Sequence, residues 1–511
     1  MDVAWIEVAI AVAIYMAILV AIGLAGARKA KTMADFIAAS GTLGFSSYVL
    51  LMAGSIMSGM TALGVAGVGY LAGYATWWEQ LAVPSAMVIS TILFGAKLNR
   101  LAREKGYLTV QDYLAERFDG SKAIRGVSGL ASAFVCFIYL VGQYIAIGIV
   151  MKVALGLEYW QGCLVAMVIT VIYVMAGGLL AVAWTTLVQG AILIVGMLAT
   201  ATILVGHVGG WEAMNLKLAQ ITSGPFADCL TKPFGAWEAP LVSPMFALTL
   251  FGLTVLLGLS VAPHIVNNTM AFRDPKCLRW GPLAMFAAGF AVLASVKLIG
   301  IAGRVAEWEG LLELPKHPVV AGSKWTDMIL PIFAKQALHP MLFAILAVAI
   351  LAAVMSTTDR LMLTVASNVG YDIYRNLIKP TASDAEVKAI GRAVVAVVGV
   401  ATYLIALSPP PLMAWLIWTA LGIMLSTWFP ALVAALYWKK TTKQGCLAGM
   451  LVGLTSTLAV GFIAAKPPLG LGVKLAIAGG PIYFPVVSLA LSIVALVAVS
   501  LATKPKVKEA R

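Results

Sequence analysis

The stretch Val354–Leu363, VMSTTDRLML, places three hydroxyls, an aspartate and an arginine in a row inside an apolar segment. A charged residue at the centre of a membrane helix costs roughly 2.5–3.5 kcal/mol, so such a pair indicates a function or a compensating partner. Positions i, i+3, i+4 and i+7 share one helix face, which here holds Ala353, Ser356, Thr357 and Arg360. Oxygen atoms on that face suit a hard cation such as Na+. Alternatively, the hydroxyls bond back to the preceding helical turn.

Other apolar stretches also contain isolated polar residues. Lys297 lies mid-segment in AVLASVKLIG, and an ionisable residue inside a membrane span is a functional candidate by default. Glu79 and Gln80 lie in WWEQLAVPS near the predicted end of a span. Structural roles stay open, since Lys297 can serve packing alone and Glu79 can be interfacial beside two tryptophans. Further candidates for pocket walls are Ser260, His264, Asn267, Trp415, Trp418 and Thr419.

Composition identifies the class of protein that must position these residues. The chain has 511 residues, 61% hydrophobic and 11% charged, with a mean hydropathy of +0.96. Soluble domains average about 25% charged residues, so this is a polytopic membrane protein. The five cysteines and four histidines are scattered, which argues against a disulfide framework or a metal cluster.

Thirteen apolar runs are long enough to cross about 30 Å of hydrocarbon. They are residues 4–25, 44–74, 77–96, 126–155, 159–178, 181–207, 243–265, 280–303, 338–370, 388–407, 411–437, 445–465 and 478–502. With the N-terminus outside and the C-terminus inside, 24 of the 35 Lys and Arg residues lie on the inner side and nine on the outer side. This bias sets the predicted orientation and accounts for the net charge of +13 without nucleic acid.

Two of the spans carry interruption signals. Residues 54–73 hold six glycines, and the span at 243–265 holds Gly252, Gly258 and Pro263. Each span would open one five-helix half, and interrupted helices in corresponding positions are typical of transporters with inverted repeats. The alternative for either span alone is close helix packing. In a predicted inner loop, Thr109 and Asp112 resemble a capping box of a short amphipathic helix.

Several motifs resemble the sodium/solute symporter family from about residue 5 to residue 500. They are GGLLAVAWTTLVQG, LTVQDYLAERF, AAVMSTTD and WFPALVAALYWKKTTKQGCLAGMLVG. Within the family, SPPPLMAWL and APH look most like the sodium/pantothenate and monocarboxylate branches. The resemblance implies an all-α polytopic membrane protein with a leucine-transporter-like core of two inverted five-helix repeats within thirteen helices.

The implied organisation is a single transmembrane transporter domain over residues 1–503. An extra N-terminal helix at 4–25 precedes repeat one, at about 44–207, and repeat two, at about 243–437. Helices at about 445–502 follow, and residues 504–511 form a basic cytoplasmic tail.

The resemblance also implies a sodium site. The positions matching the family's ligands are the carbonyls of Gly54, Met57 and Ala353 and the hydroxyls of Ser356 and Thr357. These five oxygens are a sensible set for one Na+ as the coupling ion.

The chain departs from the family at the positions that build a second sodium site in some members. Thr186 stands where many members have Asp, Ile56 where proline transporters have Asp, and Asp359 and Arg360 where helix hydroxyls are expected. A guanidinium would repel a second cation, so we expect a single sodium, with Asp359 neutralising Arg360. Alternatively, Arg360 extends to the inner interface and pairs with another carboxylate.

Buried cations at Lys297 and Arg360 favour a small organic anion. The expected function is sodium-coupled import of a small carboxylate, of the pantothenate or short monocarboxylate class, by alternating access in the cell membrane. A proline-type amino-acid or sugar symporter is the alternative, and a transporter-derived sensor is a further one. No filter motif of a channel and no catalytic motif is found, so no enzyme is expected. The expected partners are the solute and the lipid bilayer; the oligomeric state is left open, a monomer included.

Overall fold

The computed structural model describes residues 3–27, 44–463, 473–474 and 480–503. The α-helices are α1 Val3–Ala27, α2 Phe45–Ile56, α3 Val65–Ala72, α4 Trp78–Ile89, α5 Ala96–Lys105, α6 Val110–Arg117, α7 Lys122–Leu155, α8 Tyr159–His207, α9 Gly210–Gln220, α10 Pro244–Ala247, α11 Pro263–Thr269, α12 Lys276–Arg279, α13 Gly281–Trp308, α14 Ile329–Ala337, α15 Pro340–Ser367, α16 Asp384–Ala406, α17 Ala414–Thr427, α18 Phe429–Tyr437, α19 Lys443–Ile463 and α20 Pro485–Ala502. Wider π-helical stretches are Met60–Gly64, Ser90–Gly95, Leu248–Gly258 and Asn368–Ile378, and tight 3₁₀ turns are Gly73–Thr76, Ala227–Cys229 and Thr326–Met328. Two short strands, β1 Val473–Lys474 and β2 Pro481–Ile482, pair antiparallel.

The predicted spans coincide with helices of the described part. Eight helices are long and apolar enough to cross a membrane, or eleven if each sharply bent pair counts as one span. Two shorter apolar helices, Ile6–Ile18 and Tyr159–Ile172, fall in two further predicted spans. The count of thirteen and the orientation of the termini therefore remain predictions.

One predicted boundary is wrong. The sequence predicts one span that ends at residue 178 and another that begins at residue 181, but the backbone is helical throughout α8, over 49 residues. Gly177 and Gly178 lie at this point, but a glycine lowers helix stability by only about 1 kcal/mol relative to alanine. The apolar residues that follow are good helix formers, so the helix continues. The side chains of residues 176–192, Thr186 among them, lie outside the described part.

The two predicted interruptions are confirmed. The α2 segment and the helix that follows it differ in direction by 63°, with Met57 in an extended conformation at the end of α2. The second interruption, a 48° bend, separates the π-helical stretch Leu248–Gly258 from α11. There Pro263 begins α11 and holds Ala262 in an extended conformation, because proline disfavours helical geometry in the preceding residue. Backbone groups are therefore released from helical bonding at two places.

The glycine-rich segment also allows close helix packing, which the sequence analysis gives as the alternative to an interruption. A Cβ atom on Gly300 of α13 would lie 2.0 Å from the carbonyl oxygen of Ala66 in α3. A Cβ atom on Gly69 would lie 2.7 Å from the carbonyl oxygen of Lys297. Each helix thus supplies a glycine where the other approaches, and α3 and α13 lie in backbone contact.

The predicted capping box is confirmed at the start of α6, with Thr109 as the N-cap and Asp112 as its partner. Asp112 also accepts from Arg125 of α7 at 2.8 Å, and Arg125 contacts Asp372 at 3.0 Å. This network ties the short helix to two long ones on the predicted inner side.

Candidate functional site

The predicted sodium ligands meet across 300 residues of sequence. The Thr357 hydroxyl of α15 donates to the carbonyl oxygen of Met57, at the interruption after α2, over 2.8 Å. The Ser356 hydroxyl donates to the carbonyl oxygen of Ala353 over 2.8 Å. All four residues are buried. Four of the five predicted ligands therefore form two hydrogen-bonded pairs, one within α15 and one between α15 and the interrupted helix.

The fifth predicted ligand, Gly54, is buried in the last turn of α2. Hydroxyl and carbonyl oxygens at a break in a membrane helix are the donor set that Na+ takes in transporters. Ser356 bonds within its own helix, so the alternative of back-bonding describes its contact here as well. Thr357 is different, since its partner is the carbonyl oxygen of Met57 in another helix. That oxygen is available because α2 ends at Ile56.

Arg360 contacts the same helix from one turn further along α15. Its guanidinium donates to the Leu51 carbonyl oxygen at 3.2 Å and to the Ser55 hydroxyl. The C-terminal end of a helix carries partial negative charge, which favours a cation. Asp359 is buried and acts electrostatically on Arg360, but its Oδ1 atom has no hydrogen-bond partner within the described residues. Arg360 therefore lies buried against α2 and does not extend to the inner interface.

A second cluster surrounds Lys297, a fully buried residue of α13. Its ammonium group lies 3.2 Å from Glu79 Oε2 and donates to the Thr76 hydroxyl at 3.2 Å. The other carboxylate oxygen of Glu79 accepts from the Trp418 indole at 3.3 Å. Glu79 is 1% exposed, so its carboxylate is enclosed by the protein and not presented to solvent or lipid. Thr76 is a partner that sequence reasoning missed, because nothing local to it distinguishes it.

The remaining predicted wall residues do not join the Lys297 cluster through hydrogen bonds. The Gln80 amide fits the carbonyls of Thr76 and Trp77, which lie just before its helix. Ser260 bonds back to Leu257, and Asn267 accepts from the backbone of the inner helix α6. Trp415 packs edge-on against Trp418, with ring centroids 5.0 Å apart, and Thr419 lies 3.4 Å from the Tyr483 hydroxyl. Trp415, Trp418 and Tyr483 thus form an aromatic patch beside the cluster, and Thr419 lies at its edge.

His264 occupies a third position, at the start of α11 beside the second interruption. It is 4% exposed, and neither ring nitrogen has a hydrogen-bond partner within the described part of the chain. Its ring packs edge-on against Tyr139, whose hydroxyl donates to Ser58 at 3.3 Å. One turn along α7, Gln143 accepts from the Gly59 backbone at 2.8 Å, while its own amide nitrogen has no partner among the described residues.

Gln143 is a further residue that sequence reasoning missed. The signal was available, since it is a lone amide within an apolar helix of 34 residues. Buried polar atoms without partners are rare and costly, so Gln143 and His264 mark a place suited to a polar ligand or water.

The matching family model covers residues 36–453 and describes the sodium:solute symporter family. The chain belongs to the sodium:solute symporter family. Sodium is accordingly its coupling ion, and the chain is a multi-pass membrane protein of the cell membrane. It is a transporter, which is a non-enzymatic class of protein.

Similar proteins include several named proline carriers. The osmoregulated proline transporter OpuE of Bacillus subtilis (strain 168) is 29% identical over 468 residues, covering 89% of this chain and 88% of that protein. The sodium/proline symporter of Escherichia coli (strain K12) is 26% identical over 453 residues, covering 87% and 86%. The finer resemblance to the pantothenate and monocarboxylate branches finds no support in these matches.

A solved structure of a Na+-coupled sialic acid symporter, in a substrate-bound outward-open state, has the same fold. The TM-score is 0.75 at 18% sequence identity, and the match covers 98% of each chain. At that identity the likeness concerns architecture alone: an all-helical, leucine-transporter-like arrangement.

Proposed function

We propose that this symporter imports a small solute that carries a carboxylate group, and that Lys297 binds that carboxylate. The observation that supports this is the Lys297–Glu79 pair, which is fully buried with 3.2 Å between its charged atoms. Burying two charges costs several kcal/mol per ion, and only good geometry offsets that cost. A pair held at this cost next to an interrupted helix is a reasonable recognition element for a charged solute.

The pair also changes the charge argument made from the sequence. Lys297 already has a counter-ion in Glu79, so a simple monocarboxylate would bring one uncompensated negative charge into the site. A zwitterionic amino acid brings none, because its carboxylate can take Lys297 while its ammonium group takes Glu79. This observation favours an amino acid as the carboxylate-bearing solute, and the names of the relatives above agree with it. A short monocarboxylate is the second candidate.

For the coupling stoichiometry we propose one sodium per solute, at the site formed by Gly54, Met57, Ala353, Ser356 and Thr357. Arg360 supports this, since its positive charge lies against the same helix end and disfavours a second cation there. One Na+ with one zwitterion moves one positive charge across the membrane. One Na+ with one monoanion moves none.

The experiment is uptake by the purified protein in proteoliposomes, from a labelled panel of L-proline, pantothenate, acetate and glucose. Each solute is tested with a gradient of Na+ or of choline, and with the potential set by potassium and valinomycin. A potential contributes about 2.3 kcal/mol per charge per 100 mV. We expect sodium-dependent uptake of L-proline that an inside-negative potential stimulates strongly. Potential-independent uptake of acetate or pantothenate would identify the second candidate instead.

A substitution at Lys297 tests its role in solute binding. Lys297→Met retains volume but removes the charge, and it should raise the half-saturating concentration of the carboxylate solute about tenfold or more, since a hydrogen bond to a charged group contributes roughly 1.5–3 kcal/mol. Sodium-driven glucose uptake in the absence of carboxylate uptake would refute the carboxylate proposal altogether.

A further inference from the structure

On the predicted outer side, the segment Thr326–Ala337 carries a buried carboxyl group. This segment, here named the cap segment, joins a 3₁₀ turn to α14 and packs against α3, α8, α13 and α15. Asp327, in its first turn, is completely buried. The cation nearest to it in sequence, Lys324, pairs with Glu307 at 2.9 Å and not with Asp327.

Only one oxygen of this carboxyl group is hydrogen-bonded within the described residues. Oδ2 accepts from the backbone N–H of Met413 at 2.9 Å, at the start of α17. Oδ1 has no partner. It faces α3, since a Cβ atom built on Gly67 would lie 3.1 Å from it. The carboxyl group therefore joins the cap segment to α17 while one of its oxygens is buried against bare helix backbone.

The charged form of such a group is disfavoured. Burying an ionised carboxylate without full hydrogen bonding costs far more than burying the neutral acid. Burial raises the pKa of Asp327 to about 7, although the Met413 N–H opposes the rise. An exposed aspartate has a pKa of about 3.9, so the group holds a proton near neutral pH only while the cap segment is closed.

We propose that Asp327 is a proton-binding site of the cap segment, and that the bound proton holds this segment against α3 and the start of α17. The ligand is a proton from the outer solution. The site is separate from the Lys297 cluster and from the sodium ligands, and it does not depend on which solute is carried.

The direction of the pH effect follows from the two protonation states. Below pH about 4 the group is neutral whether the cap is open or closed. Between about pH 4 and pH 7 the open form is ionised and the closed form is not, so each unit of rise favours opening about tenfold. Above pH 7 both forms are ionised and the dependence ends. Acid therefore closes the cap, and the dependence levels off near the pKa of the closed form.

Other titratable groups lie around the same segment. They are Tyr70 from α3, Tyr159 and His207 from α8, Arg304 and Glu307 from α13, Lys335 from α14 and His317 from the preceding loop. The π-helical stretch Met60–Gly64 and the start of α17 contribute none. Burial lowers the pKa of His317 and of Lys335. His317 can titrate in the same range, so the test compares proteins that differ only at Asp327.

The experiment is amide hydrogen exchange of the full-length protein in lipid nanodiscs, from pH 5 to pH 8.5, in choline chloride. The ratio of exchange rates in the cap segment, wild type to Asp327→Asn, cancels the intrinsic pH dependence of exchange. Asn keeps an acceptor for Met413 but cannot ionise. We expect this ratio to rise about tenfold per unit from pH 5 to pH 7 and then level off. An exposed carboxyl on the same side gives the control, Asp228→Asn, which should behave as the wild type.

A ratio that stays flat from pH 5 to pH 8.5 would overturn the proposal. So would protection at pH 8.5 that Na+ restores in the wild type but not in Asp327→Asn, because the ligand would then be a metal cation. If Asp327→Asn fails to fold, Met413→Pro takes its place, since Met413 has a φ of −57° that proline adopts. Removal of the N–H donor should move the levelling-off point above pH 7. An unshifted point would refute the role of Asp327.

Discussion

Lys297 and Arg360 are both fully enclosed cations near the centre of the helix bundle, but their surroundings differ. Lys297 faces a carboxylate that belongs to another span, so its partner is a full charge. Arg360 donates to the Leu51 carbonyl oxygen and the Ser55 hydroxyl near the end of α2, and the charge beside it, Asp359, belongs to its own helix. The carboxylate of a solute can replace Glu79 as the partner of Lys297. The groups of α2 that hold Arg360 are part of a helix end and stay in place. The difference suits Lys297 to a substrate and Arg360 to a fixed electrostatic role beside the coupling ion.

The largest expected effect comes from removing the partner of Lys297. Glu79→Gln leaves a buried ammonium group without its counter-ion, which should lower the free energy of unfolding by about 3–5 kcal/mol. The double variant Glu79→Gln/Lys297→Met should recover most of that loss. On the Arg360 side, Ser55→Ala removes a hydroxyl that accepts from Arg360 and Asn268 and donates to Leu51, and the loss of the bond to the charged group should cost about 1.5–3 kcal/mol. Denaturant unfolding in detergent measures all three variants.

If the double variant is as unstable as Glu79→Gln alone, the two residues do not act as a pair. If Ser55→Ala costs more than Glu79→Gln, the contrast between the two cations is wrong.

The next effect concerns the sodium ligands. Ser356→Ala/Thr357→Ala should raise the half-saturating sodium concentration for uptake about tenfold or more, because each lost ligand to a charged group contributes roughly 1.5–3 kcal/mol. Thr358→Ala is the matched control, since its hydroxyl bonds to Val354 within α15 and does not contact α2. Sodium dependence equal to that of the wild type in the folded double variant would exclude these hydroxyls as ligands.

The smallest expected effect concerns Trp418, which contacts Glu79 in the Lys297 cluster. Trp418→Phe removes the indole N–H that Glu79 accepts and should weaken solute binding about fivefold, or about 1 kcal/mol. Trp415→Phe serves as the comparison, because Trp415 packs on Trp418 without a hydrogen bond to Glu79. Equal effects of the two substitutions on the half-saturating solute concentration would assign Trp418 to packing.

Much of this arrangement could be predicted where polarity stands out against an apolar background. Lys297, Glu79 and the hydroxyls of α15 were all visible in that way, as were both helix interruptions. Thr76, Gln143 and Asp327 were not singled out, because their meaning depends on partners between 84 and 221 positions away. The division of α8 failed because apolar run length counts the crossings of a membrane but does not show whether two adjacent runs share one continuous helix. The ion pair between Lys297 and Glu79 also could not be read from composition, and it altered the expected charge of the solute.

The backbone contact between α3 and α13 has a mechanical consequence. No side chain separates α3 from α13 at Gly69 and Gly300, so a tilt of α3 would push directly on the backbone of the helix that carries Lys297. The place where α3 can bend relative to α2 is the interruption at Met57, whose carbonyl oxygen also accepts the hydrogen bond from Thr357. A sodium ion bound at this interruption would fix the angle between α2 and the helix that follows it. Occupancy of the sodium site would thus set the position of α3, and with it the position of Lys297 relative to the solute.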